Sequence, residues 1–392
     1  MSTGNNTAPS AGLRFWILLA LSMGSFAIGT SEFVIMGLLP EIARGLEVNE
    51  QQVGHLISAY ALGVVVGAPV LAMLGSKLRR KTLLVALMLF YASANLASAL
   101  VTDYHGAMLA RFVSGLPHGA YFGVAALAAA SISPLHKRGA AVSTVLMGLT
   151  VAMLIGNPLA TWLGQLLDWR YAFVVVAILA GLTCILVQCL LPAGDKPQAS
   201  SVRHELKAFC QPQIGLLLLI AAIGFAGMFC VFSYLAPTLL QVAGAAQSWI
   251  PFALACFGGG AVIGNIVGGR LFDRFGAQAI GIVLAWSIVV LLAFPFAAHS
   301  IWTLLPAIGC VGTMIALGPV LQTRLMDIAK GAQTLAAASN HAAFNLANAL
   351  GPWLGGMAIA AGWGWTSTGY VGAAMAVLGL VVYVVGVRGK QG

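Results

Sequence analysis

The chain has 392 residues, of which 60% are hydrophobic and only 7% charged, with a net charge of +9 and a mean hydropathy of +0.95. No water-soluble domain has enough polar surface to cover such a composition, so soluble enzymes and soluble binding modules are excluded. The apolar runs reach about 20 residues or more, enough to cross a hydrocarbon core as helices, and they lack the strict alternation of a membrane barrel.

Residues 1–14 read as a mostly polar tail in which Arg14 is the only charged side chain. No basic region precedes a short apolar core, so a cleaved signal peptide is not expected and the first helix is expected to be retained. The first span is predicted at 15–39. Glu32 lies inside it and is the only acidic residue within any long apolar stretch. A carboxylate at that depth is costly and needs a partner or a water-filled cavity, which makes it a candidate for ion or proton handling. The competing reading is a neutral carboxylate that pins two helices.

Spans two and three are predicted at 51–74 and 82–101, joined by a connection that holds Arg79, Arg80 and Lys81. Span four, 106–131, carries Arg111 near its start, then Gly115, Gly119 and Gly123 at a spacing that lets helices approach closely. Span one runs outward and span four inward. At about 1.5 Å per residue, Glu32 and Arg111 both sit roughly 10 Å below the outer boundary. Equal depth permits a buried arginine–carboxylate pair. Snorkelling of Arg111 to the interface is the alternative. His118 lies two turns after Arg111 on a similar face. It either relays protons or orders a helix pair as a neutral hydrogen-bonding group.

Span five, 140–166, contains Gly156, Asn157 and Pro158, and span six covers 171–192. The polar, proline-containing stretch 193–212 then divides the chain into two six-span halves, 15–192 and 213–387, with tails 1–14 and 388–392. Spans seven to twelve are predicted at 213–240, 250–270, 277–298, 301–325, 332–361 and 366–387. This half holds no deep charge. Phe229, Phe232, Gln322, His341, Asn345 and Asn348, with Asn157 of span five, are the candidate lining of a pocket. Aromatic walls with a few amides suit an uncharged or amphipathic small molecule. Plain packing is the alternative for each aromatic, and hydrogen bonding between helices is the alternative for His341.

An even number of spans puts both termini on one side. If that side and the connections after spans two, four, six, eight and ten are cytoplasmic, all Lys and Arg but Arg44, Arg111 and Arg170 fall there or at the adjoining span ends. This is the positive-inside pattern, and it accounts for the net charge without a nucleic-acid partner. The six cysteines fall in spans or in the 193–212 stretch, with no metal-ligand spacing, so no metal or cofactor is expected.

The halves echo each other. LeuLeuPro at 38–40 answers LeuAlaPro at 235–237, and GlyAsnProLeu at 156–159 answers GlyProTrpLeu at 351–354. Duplication about a midline linker is the organisation of two-bundle carriers, with the substrate between the halves near the midplane. With these residues the chain resembles the major facilitator superfamily, in its twelve-helix drug:proton antiporter branch. It looks closest to the bacterial arabinose-efflux, sugar-efflux and chloramphenicol-resistance exporters. The most specific stretches are 29–40, 111–123 and 156–164.

The resemblance implies an all-α membrane protein of twelve helices in two pseudo-symmetric bundles, working in the bacterial inner membrane by alternating access. It implies an antiporter, driven by protons, that exports a small organic molecule such as a sugar or amphipathic drug and functions as a monomer in the bilayer. It assigns proton movement to Arg111, with Glu32 and His118 as the companion candidates. The cytoplasmic latch motif has Arg79, Arg80 and Lys81 in its first copy, where Gly75 stands at the acidic position. The second copy is fuller, with Asp273 and Arg274. Plain topogenic charge is the alternative for the first copy. Gly115, Gly119, Gly156, Pro158, Gly351 and Pro352 read as packing or hinge positions. An uncoupled facilitative carrier of sugars or nucleosides shares this fold, and a non-transport membrane sensor is a further alternative. No motif for a nucleophile or phosphate loop points to an enzyme.

Overall fold

The computed structural model describes residues 10–75, 78–134, 137–192, 211–328 and 333–387. The tails 1–9 and 388–392, Lys77, Lys330 and linker residues 193–210, including Cys210, lie outside the described residues. Among those described, eleven helices are long and apolar enough to cross a membrane. The segment corresponding to the predicted eleventh span is a helix, Gln333–Ala358, but is not one of the eleven. Its composition explains why. Asn340, His341, Asn345 and Asn348 dilute its hydropathy, and the three asparagines are buried inside the protein.

Several spans are broken where the sequence carries proline. The first runs over Ala11–Gly37 and yields at Leu38 to a short helix, Leu39–Gly45, that has Pro40 in its first turn. The seventh is three pieces, Pro212–Gly224, Ala226–Ser233 and Leu235–Gln241, rather than the single helix 213–240 expected. Its second break, at Tyr234, precedes Pro237 as Leu38 precedes Pro40. The fifth span passes through a wide π turn, Ala152–Gly156, immediately before Asn157–Leu166. Pro158 offers no N–H to the preceding turn, and the looser turn absorbs that loss. The eighth span, Ile250–Phe275, ends at Gly276 with φ +53°, a conformation that favours glycine.

Glycine brings the spans together in a pattern repeated in both halves. A Cβ on Gly63, Gly67 or Gly115 would collide with the carbonyl of Phe112, Leu116 or Tyr60, and one on Gly119 with Ala68, so spans two and four touch backbone to backbone. Gly260, Gly264, Gly268 and Gly312 do the same between spans eight and ten. Gly156 meets Thr30 and Phe26 of span one, and Gly351 meets Ala226 and Cys230 of span seven. Gly123 faces open space, so the expected stripe on span four ends at Gly119. Between the halves, span two lies along span eleven and span five along span eight. Exposed apolar side chains such as Leu100, Ile178, Phe296, Trp302 and Val385 clothe the outside, the surface a lipid environment requires.

Candidate functional site

Glu32 and Arg111 are both buried, at 5% and 2% exposure. They do not pair. Among the described residues the ion pairs are Arg44–Glu41 at 3.8 Å and Arg170–Asp168 at 3.5 Å, both at span ends. The expected pairing of equal-depth charges is therefore corrected. The reason is helical geometry: Ser31 and Glu32 are neighbours, separated by about 100° around span one, and face different spans. Arg111 Nη1 donates to Ser31 Oγ at 3.0 Å and Nη2 to the Ser31 carbonyl at 3.1 Å. Its guanidinium lies 4.3 Å from the centre of the Tyr60 ring and 5.3 Å from that of Phe173. A void of about 10 Å³, the size of one water, borders Arg111, Ser98 and Trp169.

Glu32 turns the other way, across the seam. Asn348 Nδ2 of span eleven donates to Glu32 Oε1 at 3.0 Å, while Asn348 Oδ1 has no partner. One residue on, the Ala349 carbonyl accepts from Ser58 Oγ of span two at 2.8 Å. The halves meet again at the end of the spans nearest Glu41. Gln247 donates to Glu41, and Gln241 Nε2 to Glu50 at 3.4 Å, while Trp365 Nε1 donates to Gln241 at 2.7 Å. Burial raises the Glu41 carboxyl above the usual carboxylate range, outweighing its hydrogen bonds and the charge of Arg44.

A polar chain not anticipated from the sequence runs through the first half. Ser31 Oγ donates to Asn95 Oδ1 at 2.6 Å, and Asn95 Nδ2 to the Tyr91 carbonyl at 2.9 Å. The Tyr60 and Tyr91 hydroxyls are 3.1 Å apart, and Tyr60 Oη is 3.0 Å from His118 Nδ1. The available signal was Asn95 in the middle of an apolar run. Tyr60 and Tyr91 extend the chain because a phenolic hydroxyl both donates and accepts a hydrogen bond. From His118 the Phe122 ring leads across the seam, 5.1 Å from His118 and stacked on His341 at 5.5 Å.

The aromatic residues of spans one, seven and eight pack tightly on one another. Phe33 stacks on Phe229 at 6.4 Å and lies 6.0 Å from Phe232, which in turn stacks on Phe257 at 3.7 Å. Gln322 accepts from Asn340 at 2.7 Å, and Asn345 Nδ2 donates to the His341 carbonyl at 3.0 Å. Asn157 is fully buried with neither amide atom bonded, as is the hydroxyl of Thr161 one turn on. A crevice of about 430 Å³ lies apart from these residues, at the Glu41 end between spans two and eleven, lined by Asn49, Gln51, Gln52, His55 and Met357. At the opposite end, Arg79, Asp273 and Arg274 are exposed, Arg80 and Lys81 half-buried, and Asp273 has no ion pair among the described residues. The described residues also contain no cluster of side chains able to hold a metal.

A family model described as "Major Facilitator Superfamily" matches residues 21–285 and 218–391. The "Inner membrane transport protein YdhP" of Escherichia coli O157:H7 is 39% identical over 372 residues, covering 95% of this chain and 96% of that protein. The "Putative transporter AraJ" of Escherichia coli K12 is 35% identical over 348 residues, covering 88% of each. A "Chloramphenicol resistance protein" of Streptomyces lividans is 35% identical over 340 residues, covering 86% of this chain and 87% of that one. Among solved structures, an inward-facing bacterial homologue of the human lysosomal transporter Spinster superposes with a TM-score of 0.76 at 16% identity, over 97% of this chain and 98% of that one. At that identity the likeness speaks for the fold.

Proposed function

The chain belongs to the major facilitator superfamily, a family of membrane transporters and not of enzymes, and from that premise we propose that it exports a small organic molecule in exchange for protons. The observation that carries this reading is Glu32, a carboxylate inside a span whose partner across the seam is a neutral amide of the other half. A group that changes charge where the halves meet couples proton binding to their relative position. Arg111 cannot deprotonate usefully and tyrosines titrate too high, which leaves Glu32 as the carrier and His118 or His341 as substitutes. The Tyr91–Tyr60–His118 chain gives the first half a hydrogen-bonded route beside Arg111.

Both termini and the 193–212 stretch are cytoplasmic in this reading, because the Lys/Arg asymmetry requires it, and the Glu41 end faces outward. The 15–192 and 213–387 halves rock about the seam, and one chain is the working unit. Phe33, Phe229 and Phe232 with the buried amides of Asn157, Asn345 and Asn348 suit a neutral or amphipathic solute. The relative named for chloramphenicol resistance makes chloramphenicol the first solute to test, with a neutral monosaccharide beside it.

The test is uptake into proteoliposomes under an imposed pH gradient. Glu32→Gln is expected to abolish gradient-driven accumulation while leaving exchange of labelled for unlabelled solute. One acid implies about one proton per cycle, so movement of a neutral solute is electrogenic. Accumulation that survives Glu32→Gln would refute the reading and turn attention to the histidines.

A further inference from the structure

We propose that Asn348 is the tether that makes the exchange obligatory, an inference that rests on Glu32 as the proton carrier. In this arrangement the empty, ionised protein is held closed at its Glu41 end by the Asn348–Glu32 bond. Either a proton on Glu32 or a solute bonded to the Glu32–Asn348 pair releases it.

Four observations support this assignment. The bond crosses the seam between span one and span eleven at 3.0 Å, and the adjoining Ala349 carbonyl is bonded to Ser58 of span two, so span eleven is stitched to the first half at this level. Pro352 follows Asn348 by one turn and cannot donate to the Asn348 carbonyl, which makes this turn the weak joint of the helix. The Tyr234 hydroxyl holds the far side of that joint through the Pro352 carbonyl at 2.7 Å. Asn348 Oδ1 is buried and unbonded, a free acceptor for a solute hydroxyl or amide.

The chemistry gives the tether its direction. An amide donating to a carboxylate makes a charge-assisted bond, roughly twice as strong as one between neutral groups. Protonation of Glu32 reduces it to a neutral pair, and the halves become free to rock. A neutral solute carrying hydroxyl or amide groups replaces one partner with the same result. The state with neither proton nor solute stays locked, so it cannot return empty and dissipate the gradient. The other ionisable groups around this seam are Arg111, Tyr60 and Tyr91 of the first half, and His118 and His341 on either side of Phe122. None of these is hydrogen-bonded to the Asn348 amide or to the Glu32 carboxylate.

Proton leak needs no solute and reads the lock directly. Purified protein in liposomes loaded with a pH-sensitive dye is exposed to a pH step without any solute present. Asn348→Ala should raise the leak about tenfold over wild type, the effect of losing one charge-assisted hydrogen bond. Adding Glu32→Gln to Asn348→Ala should remove the excess. If Asn348→Ala is not a monodisperse folded protein, Asn348→Leu, similar in volume and unable to donate, carries the same test. An unchanged leak overturns the inference, as does an excess that persists in the double variant. Coupling lost in Glu32→Gln with no leak in the Asn348 variants leaves the exporter reading standing and sinks the tether alone.

Discussion

Arg111 is a buried cation whose partners are a serine, a carbonyl and two aromatic rings. The arrangement leaves Glu32 free to bond across the seam, so the cation and the carboxylate keep separate partners. A second acid, Glu41, lies at the closed end beyond span one, where Gln247 of the other half donates to it. Burial holds its carboxyl above the usual carboxylate range, so the folded protein binds this proton more tightly than the unfolded chain does. Its contribution to stability is then full below the unfolded value and is lost as pH rises through the higher folded value. We expect the stability of wild type relative to Glu41→Gln to fall as pH is raised from acid to neutral. Thermal denaturation of both proteins across that range checks it, and a pH-independent difference would contradict it.

At the scale of elements, the paired spans owe their closeness to missing side chains. Gly115 sits against the Tyr60 carbonyl and the Val64 amide, backbone that cannot step aside. Gly115→Ala should therefore destabilise the protein by about 1–3 kcal/mol, the usual cost of overpacking. Gly123→Ala, at a glycine with no neighbour within 4 Å, should be neutral or slightly stabilising through helix propensity. Equal melting temperatures for the two variants in detergent would count against backbone contact between spans two and four. The spacing of four on span four was visible in the sequence. That Gly119 packs while Gly123 does not was invisible, because it depends on which atoms of the neighbouring span lie opposite each glycine. The π turn before Asn157 was also invisible, since a proline signals a disturbed helix but not the form the disturbance takes.

For the whole molecule, the halves are bonded at the Glu41 end, while Asp273 at the other end is exposed and without an ion pair among the described residues. A latch of the kind their motif resemblance implies for Asp273 and Arg274 would form in the opposite state, in which the Asp273 end closes. Gly75 stands where the first copy would carry its acid, so no second carboxylate compensates. Asp273→Asn should shift the population towards states open at the Asp273 end. Spin-label distances across that end, measured with and without the substitution, test this. Identical distributions would assign Asp273 to topogenic charge.

The sequence by itself determined the membrane class, most of the apolar spans, the close approach at Gly115 and Gly119, and the lone carboxylate. Each follows from composition, from a periodicity or from one residue in the wrong solvent, and none requires knowing which helix lies beside which. Glu32 and Arg111 were legible as buried charges for that reason. Their partners were not, because equal depth in a bilayer fixes one coordinate and leaves rotation about the helix axis undetermined. Only the tertiary structure turned Ser31 towards Arg111 and Glu32 towards Asn348, and it was the packing of span eleven on span two that brought an amide 316 residues away to the carboxylate.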